Sequence, residues 1–190
     1  MLVIEPAIDQ DACIEERAKN ATSGIEKLNN PTTPTFQIWV DADACPADIK
    51  AILFRTAIRR KLDVIFVANQ SLRLPSSNHI RMVTVRHGLD VADQTIAESM
   101  QQGDIVITAD IPLAAQVVEN AGIAIGPRGE KFDANNIQSK LASRNLMDHL
   151  RNSGMETGGP KPINRKDVQA FANQLDRAIT KHCSEKNPDA

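Results

Sequence analysis

The sequence predicts an α/β protein whose mainly parallel sheet of about five strands carries helices on both faces. Three observations lead there. Short apolar runs alternate with segments of helical periodicity. The runs are continuous in Val and Ile, as strands buried on both sides are, instead of alternating with polar residues. The chain has 190 residues, 42% hydrophobic and 24% charged, which suits one ordinary globular domain with appendages.

Residues 1–34 read as an extension outside that domain. One weakly amphipathic stretch, Ile8 to Leu28, closes on Asn29-Asn30-Pro31-Thr32-Thr33-Pro34, where two prolines in four residues stop a helix. From Phe36 the pattern changes, and the domain is expected over 35–182, with 183–190 as a tail. Phe36 to Val40 is the first strand, ending at Asp41. Pro46 suits the first position of a helix, whose face Ile49, Ile52, Leu53, Thr56 and Ala57 extends to about Lys61. Val64 to Val67 is a second strand, followed by the loop Asn69 to Asn78, and Ile80 to Val85 a third. A helix from Asp90 to Gln102 presents Val91, Ala92, Thr95, Ile96 and Met100. Ile105 to Ile107 is the fourth strand, Pro112 to Asn120 a helix, and Ile123 to Ile125 the fifth strand. A helix capped at Asp133 runs to about Arg151. A last one starts at Asn164, with Asp167 at its third position, and continues through Val168, Phe171, Leu175 and Ile179.

The formal net charge of −2 excludes a histone-like binder, which needs a large basic excess. It leaves room for an enzyme that handles nucleic acid transiently. Cys13, Cys45 and Cys183 are odd in number and lack CxxC spacing, which argues against a disulfide framework or a structural zinc site. The acidic start does not make a signal peptide, and no apolar run is long enough to span a membrane. A cytoplasmic protein is expected.

In an open α/β sheet, ligands bind beyond the carboxyl ends of the strands, near the point where strand order reverses. After the first strand stand Asp41-Ala42-Asp43-Ala44-Cys45-Pro46. After the third stand His87-Gly88-Leu89-Asp90-Val91-Ala92-Asp93, and after the fourth Thr108-Ala109-Asp110. Gathered carboxylates raise one another's pKa unless a counter-charge joins them. Oxygen-only ligands suit a hard cation, Mg²⁺ or Mn²⁺, which in turn suits phosphodiester hydrolysis. The expected metal ligands are therefore Asp41, Asp43, Asp90, Asp93 and Asp110, with Asp41, Asp43, Asp93 and Asp110 catalytic.

Plainer roles compete. Asp90 and Asp93 fit a helix cap and the acid three positions on, Asp43 fits a tight turn, and Asp104 is a turn acid at the wrong sheet end. Asp41 and Asp110 follow apolar strands, where an unpaired acid is costly. Cys45 reads as a small structural residue, and His87 as a loop histidine at the active edge. Arg73, Arg86, Thr108 and Arg128 are the candidates for contacting phosphate or nucleic acid. The common Gly-rich nucleotide cradles are absent.

The motifs at 41–46, 87–93 and Thr108 to Ala114, with Gly158-Gly159-Pro160, together resemble the bacterial YaiI/YqxD family over about residues 36–182. The resemblance implies a PIN-like three-layer sandwich and a metal-dependent nuclease acting on RNA or DNA. In that likeness Asp41 matches the first-strand acid and Asp110 the acid after the fourth strand. Asp90 or Asp93 replaces a helix acid that is usually glutamate, and Asp43 is extra. Two alternatives stand beside a nuclease of RNA. One is a haloacid-dehalogenase-like phosphatase, from Asp41-x-Asp43. The other is a non-catalytic nucleic-acid- or protein-binding module whose acids are caps.

Overall fold

Every apolar run singled out above pairs into one sheet. The computed structural model describes residues 36–86, 88, 90–154 and 161–185. The chain divides after Thr33, and the unit beginning at Pro34 carries everything that follows. The expected extension at 1–34, His87 and the Gly158-Gly159-Pro160 motif lie outside the described residues.

In chain order the elements are β1 (Ile38–Asp41), α1 (Ala47–Arg60), β2 (Val64–Ala68), β3 (Ile80–Thr84), α2 (Val91–Ser99), β4 (Ile105–Ile107), α3 (Ile111–Glu119), β5 (Ile123–Ile125), β6 (Lys131–Phe132), α4 (Ile137–Asn152) and α5 (Arg165–Glu185). The six strands lie in the order β3-β2-β1-β4-β5-β6. All neighbours are parallel except β5 and β6. Strand order reverses between β1 and β4, and that is the switch point at which doubly wound sheets bind ligands.

Alternation along the strands sorts the core into two layers. Ile38, Val40, Val64, Phe66, Ile105, Ile107 and Ile125 face α1 and α5, where Ile49, Leu53, Phe171 and Leu175 are buried. Trp39, Ile65, Val67, Val106 and Ala124 face the other way, against Ala92 and Ile96 of α2, Leu113 and Val117 of α3, and Ile137 of α4. The result is a three-layer α/β sandwich. The parallel step from β2 to β3 is made without a helix, and Leu72 and Leu74 from the intervening loop pack on the α1/α5 layer in place of one.

Several boundaries shift for local reasons. Pro46 is the extended N-cap of α1 (φ −64°, ψ 152°) and not its first helical residue. α2 stops at Ser99 because Met100 turns extended. α4 begins at Ile137, four residues after Asp133. The Asn136 side chain bonds back to the Lys131 carbonyl (2.8 Å) and accepts from Asp133 N (3.1 Å), so 133–136 form a turn. β6 is an addition to the five expected strands. Asn164 accepts from the main-chain N–H groups of Lys166 and Asp167 (2.8 and 3.2 Å) while Asp167 accepts from Asn164 N (3.1 Å), the capping box the sequence indicates. Among the described residues no helix is long and apolar enough to cross a membrane.

Candidate acidic site at the switch point

Parity places Asp41 on the same face as Trp39, toward α2 and α3. There β1 ends beside the N-termini of both helices, one opening at Asp90 and the other at Asp110. Asp41 is buried, at 7% exposure. Thr108 Oγ1 donates to Asp41 Oδ2 (3.3 Å) and accepts from the Asp110 main-chain N–H (3.0 Å). One hydroxyl thus ties the end of β1 to the turn after β4. Thr108 is itself buried, and its hydroxyl is occupied within the protein in organising the acids.

Asp110 has two functions on its two oxygens. Oδ1 caps α3 by accepting from Leu113 N (2.9 Å), and Oδ2 faces the Arg144 guanidinium at 3.8 Å. That cap explains part of why the acid sits there. Asp90, by contrast, is the N-cap residue of α2 without acting as one. It adopts a left-handed conformation (φ 59°) and its side chain makes no cap hydrogen bond. Asp is among the few residues that enter that region without large strain. Asp43 is exposed and accepts from Asn69 N (2.8 Å), which joins the β1–α1 loop to the loop after β2.

Electrostatics show that the acids share one environment. Burial raises the Asp41 pKa first, against hydrogen bonds from Ala44 N–H and Thr108 that lower it, and the charges of Asp43 and Asp110 raise it further. Asp93, partly buried in the first turn of α2, is pushed up to about 6, by burial first and then by Asp41, Asp110 and Asp90. Three segments separate in sequence therefore converge, and Asp93 carries the largest shift of these acids.

That shift has a stability consequence with a definite sign. The folded pKa lies above the ordinary aspartate value, so the penalty is absent below about pH 4 and fully present above about pH 6. Asp93→Asn is expected to stabilise the protein at neutral pH by about 1 kcal/mol, allowing for screening at a half-open site. Thermal unfolding across pH checks this, because the gain should disappear as pH falls toward 4.

The residues suit a hard divalent cation in donor chemistry, being all oxygen and mostly carboxylate. Asn69, whose main-chain N–H bonds Asp43, has a buried side-chain Oδ1 with no hydrogen-bond partner among the described residues. Among the described residues no three His, Cys, Asp or Glu side chains stand as a ready group of metal ligands.

The basic candidates separate clearly. Arg128 holds Asp167 at 2.6 Å through Nη1 and the Lys161 carbonyl through Nη2. It fastens the turn after β5 to the start of α5. Arg73 and Arg86 are exposed, and neither has a hydrogen bond or ion pair among the described residues. Arg144 escaped the sequence reading, since only the packing of α4 on α3 brings it to Asp110. Cys45 is buried, and burial pushes its thiol up to about 12, so it is no nucleophile at neutral pH. Asp104 lies at the opposite sheet edge, as expected, though with a larger structural part than a turn acid. Its carboxylate accepts from Gln37 N (2.8 Å), Trp39 Nε1 (3.0 Å) and Gln101 N (2.9 Å).

Fold and site define a doubly wound α/β protein with carboxylates gathered at its switch point. The family model described as "Uncharacterized BCR, YaiI/YqxD family" matches residues 39–181, a span containing all of these acids, and the chain belongs to that family. It is 56% identical over 147 residues to the UPF0178 protein of Shewanella woodyi, covering 77% of this chain and 97% of that one. The UPF0178 protein of Hydrogenovibrio crunogenus is 51% identical over 151 residues, 80% of this chain and 100% of its own. That of Syntrophotalea carbinolica is 53% identical over 147 residues, 77% of this chain and 99% of its own.

Proposed function

We propose that the chain is a Mg²⁺- or Mn²⁺-dependent nuclease that hydrolyses phosphodiester bonds, with RNA as its transient partner. The observation that carries this reading is the convergence of Asp41, Asp93 and Asp110 at the switch point, where each acid's charge raises the proton affinity of Asp93 or Asp41. A site that concentrates negative charge favours binding of a cation.

Asp41 and Asp110 would be the principal ligands, with Asp43, Asp90 and Asp93 completing the acidic cup. A bound divalent cation would lower the pKa of water and draw charge from a phosphoryl oxygen. The chain's own residues prepare for that. Thr108 fixes Asp41 Oδ2 and the Asp110 backbone in one register. Capping of α3 by Asp110 Oδ1 leaves Oδ2 turned outward, and the two helix N-termini place their positive dipole ends beside the site, where an anionic phosphate is stabilised.

Hydrolysis of single-stranded RNA in the presence of Mn²⁺ tests the reading. Asp41→Asn and Asp110→Asn should each lower the rate about a hundredfold or more. Unchanged rates in both variants overturn it. Calorimetric titration without any Mn²⁺ binding would favour the non-catalytic module, and turnover of p-nitrophenyl phosphate the phosphatase.

A further inference from the structure

We propose that Arg144 is the residue of this site that grips the substrate's phosphate, an inference that rests on the nuclease reading for its class of substrate. Arg144 projects from the middle of α4 and reaches across to α3. Its Nη2 stands 3.8 Å from Asp110 Oδ2, and its Nη1 stands 3.4 Å from Asp148 Oδ2, one turn along its own helix. Among the described residues no other ion pair brings a cation to Asp41, Asp43, Asp90, Asp93 or Asp110.

Neither contact of Arg144 is a hydrogen bond. Three other ion-paired arginines do donate hydrogen bonds, whereas Arg81, 3.6 Å from Asp63, does not. Arg128 donates to Asp167 at 2.6 Å, Arg60 to Asp176 at 2.5 Å and Arg151 to Asp148 at 2.8 Å. Arg144 is therefore positioned by charge while its N–H donors remain open to an incoming anion, and at 41% exposure the guanidinium is reachable from solution. A planar fork of this kind meets two phosphate oxygens at once, which a lysine at the same place does not. Asp148 holds the side chain along α4 and so limits the rotamer freedom lost on binding. A phosphodiester entering above Asp110 takes the guanidinium on one side, with the carboxylates and their helix N-termini on the other.

The experiment measures RNA binding apart from hydrolysis. Fluorescence anisotropy of a short labelled oligouridine, in buffer containing Ca²⁺, is compared for the full chain, Arg144→Gln and Arg144→Lys. Arg144→Gln should weaken binding about tenfold or more and reduce the slope of log K against log salt by about one. Arg144→Lys should keep the slope and recover only part of the affinity. The Arg144→Gln melting temperature should stay within about 2 °C of the parent, as for a surface substitution. Equal RNA affinity in Arg144→Gln and the parent chain overturns the assignment, and so does a parent chain that binds no RNA. Binding that depends on Arg144 in a protein without Mn²⁺-dependent hydrolysis keeps the assignment and removes the nuclease reading.

Discussion

Gly129→Ala should destabilise the domain by about 3–5 kcal/mol, close to the largest effect any single methyl group can have here. Gly129 ends the turn after β5 with φ +81°. A Cβ at that position would lie 2.4 Å from the Ala170 carbonyl carbon, 2.6 Å from Phe171 N and 2.7 Å from the Ala170 oxygen. These are main-chain atoms of α5, so no side-chain rotation relieves the overlap. Either the turn leaves its conformation or α5 moves outward, away from a core in which Phe171 and Leu175 are 0% and 1% exposed. The Arg128–Asp167 pair, one residue along, would be pulled apart by the same movement.

Gly154→Ala is the control for that argument. Gly154 has nearly the same dihedral, φ +80°, yet a Cβ there meets nothing within 4 Å among the described residues. Its substitution isolates the left-handed strain, about 1 kcal/mol. Urea or thermal unfolding of both variants separates strain from collision. Equal losses in the two would show that α5 does not approach the turn as closely as described.

The same turn illustrates what was legible in the sequence. β1, β2, β4 and β5 were readable because each is a continuous Val/Ile-rich run, and buried parallel strands demand that composition. β6 was not, because it is two residues long and one of them is an exposed lysine. No periodicity exists over two residues, and only pairing against β5 makes them a strand. Asp133 does accept from Asn135 N (3.0 Å), as a cap would, but residues 133–136 form a turn in which Asn136 bonds Lys131 of β6, and the regular helix starts only at Ile137.

The acids were legible for a more general reason. Strand ends in an α/β fold all point to one edge, so finding Asp41, Asp93 and Asp110 near predicted strand ends was enough to bring them together. Their separate bonding was not visible. A sequence shows Asp110 before Ile111-Pro112 but not that its two oxygens divide between a helix cap and Arg144. It shows Asp90 ahead of α2, where a cap is the common outcome, and gives no sign of the left-handed φ that turns the side chain from that role. The basic residues were the least readable of all. Arg128 and Arg144 both lie beyond β5, and tertiary packing alone decides that one is tied to α5 while the other faces the acids.

The second large effect belongs to the opposite edge of the sheet, where Asp104→Ala should cost about 3–4 kcal/mol. Asp104 is 3% exposed, and its two oxygens receive three N–H donors from two chain segments. Two of them, Gln37 N and Gln101 N, are main-chain groups that precede β1 and follow α2. The third, Trp39 Nε1, sits within a side chain that is 6% exposed and packed in the α2/α3 layer. Alanine removes every acceptor at once and leaves the buried Trp39 Nε1 and two main-chain N–H groups without their partner. An unmade buried hydrogen bond costs more than a made one contributes. Trp39→Phe removes only the indole N–H along with some packing. A double-mutant cycle with Asp104→Ala should therefore show a coupling of about 1–2 kcal/mol, the double variant being less damaged than the two losses added. Additive losses would mean that Trp39 and Asp104 are not bonded. Because Asp104 precedes β4, at the opposite end of the strands from Asp41, Mn²⁺ affinity of the folded Asp104→Ala protein should equal that of the parent. A change there would imply that β1 transmits the disturbance from one sheet edge to the other.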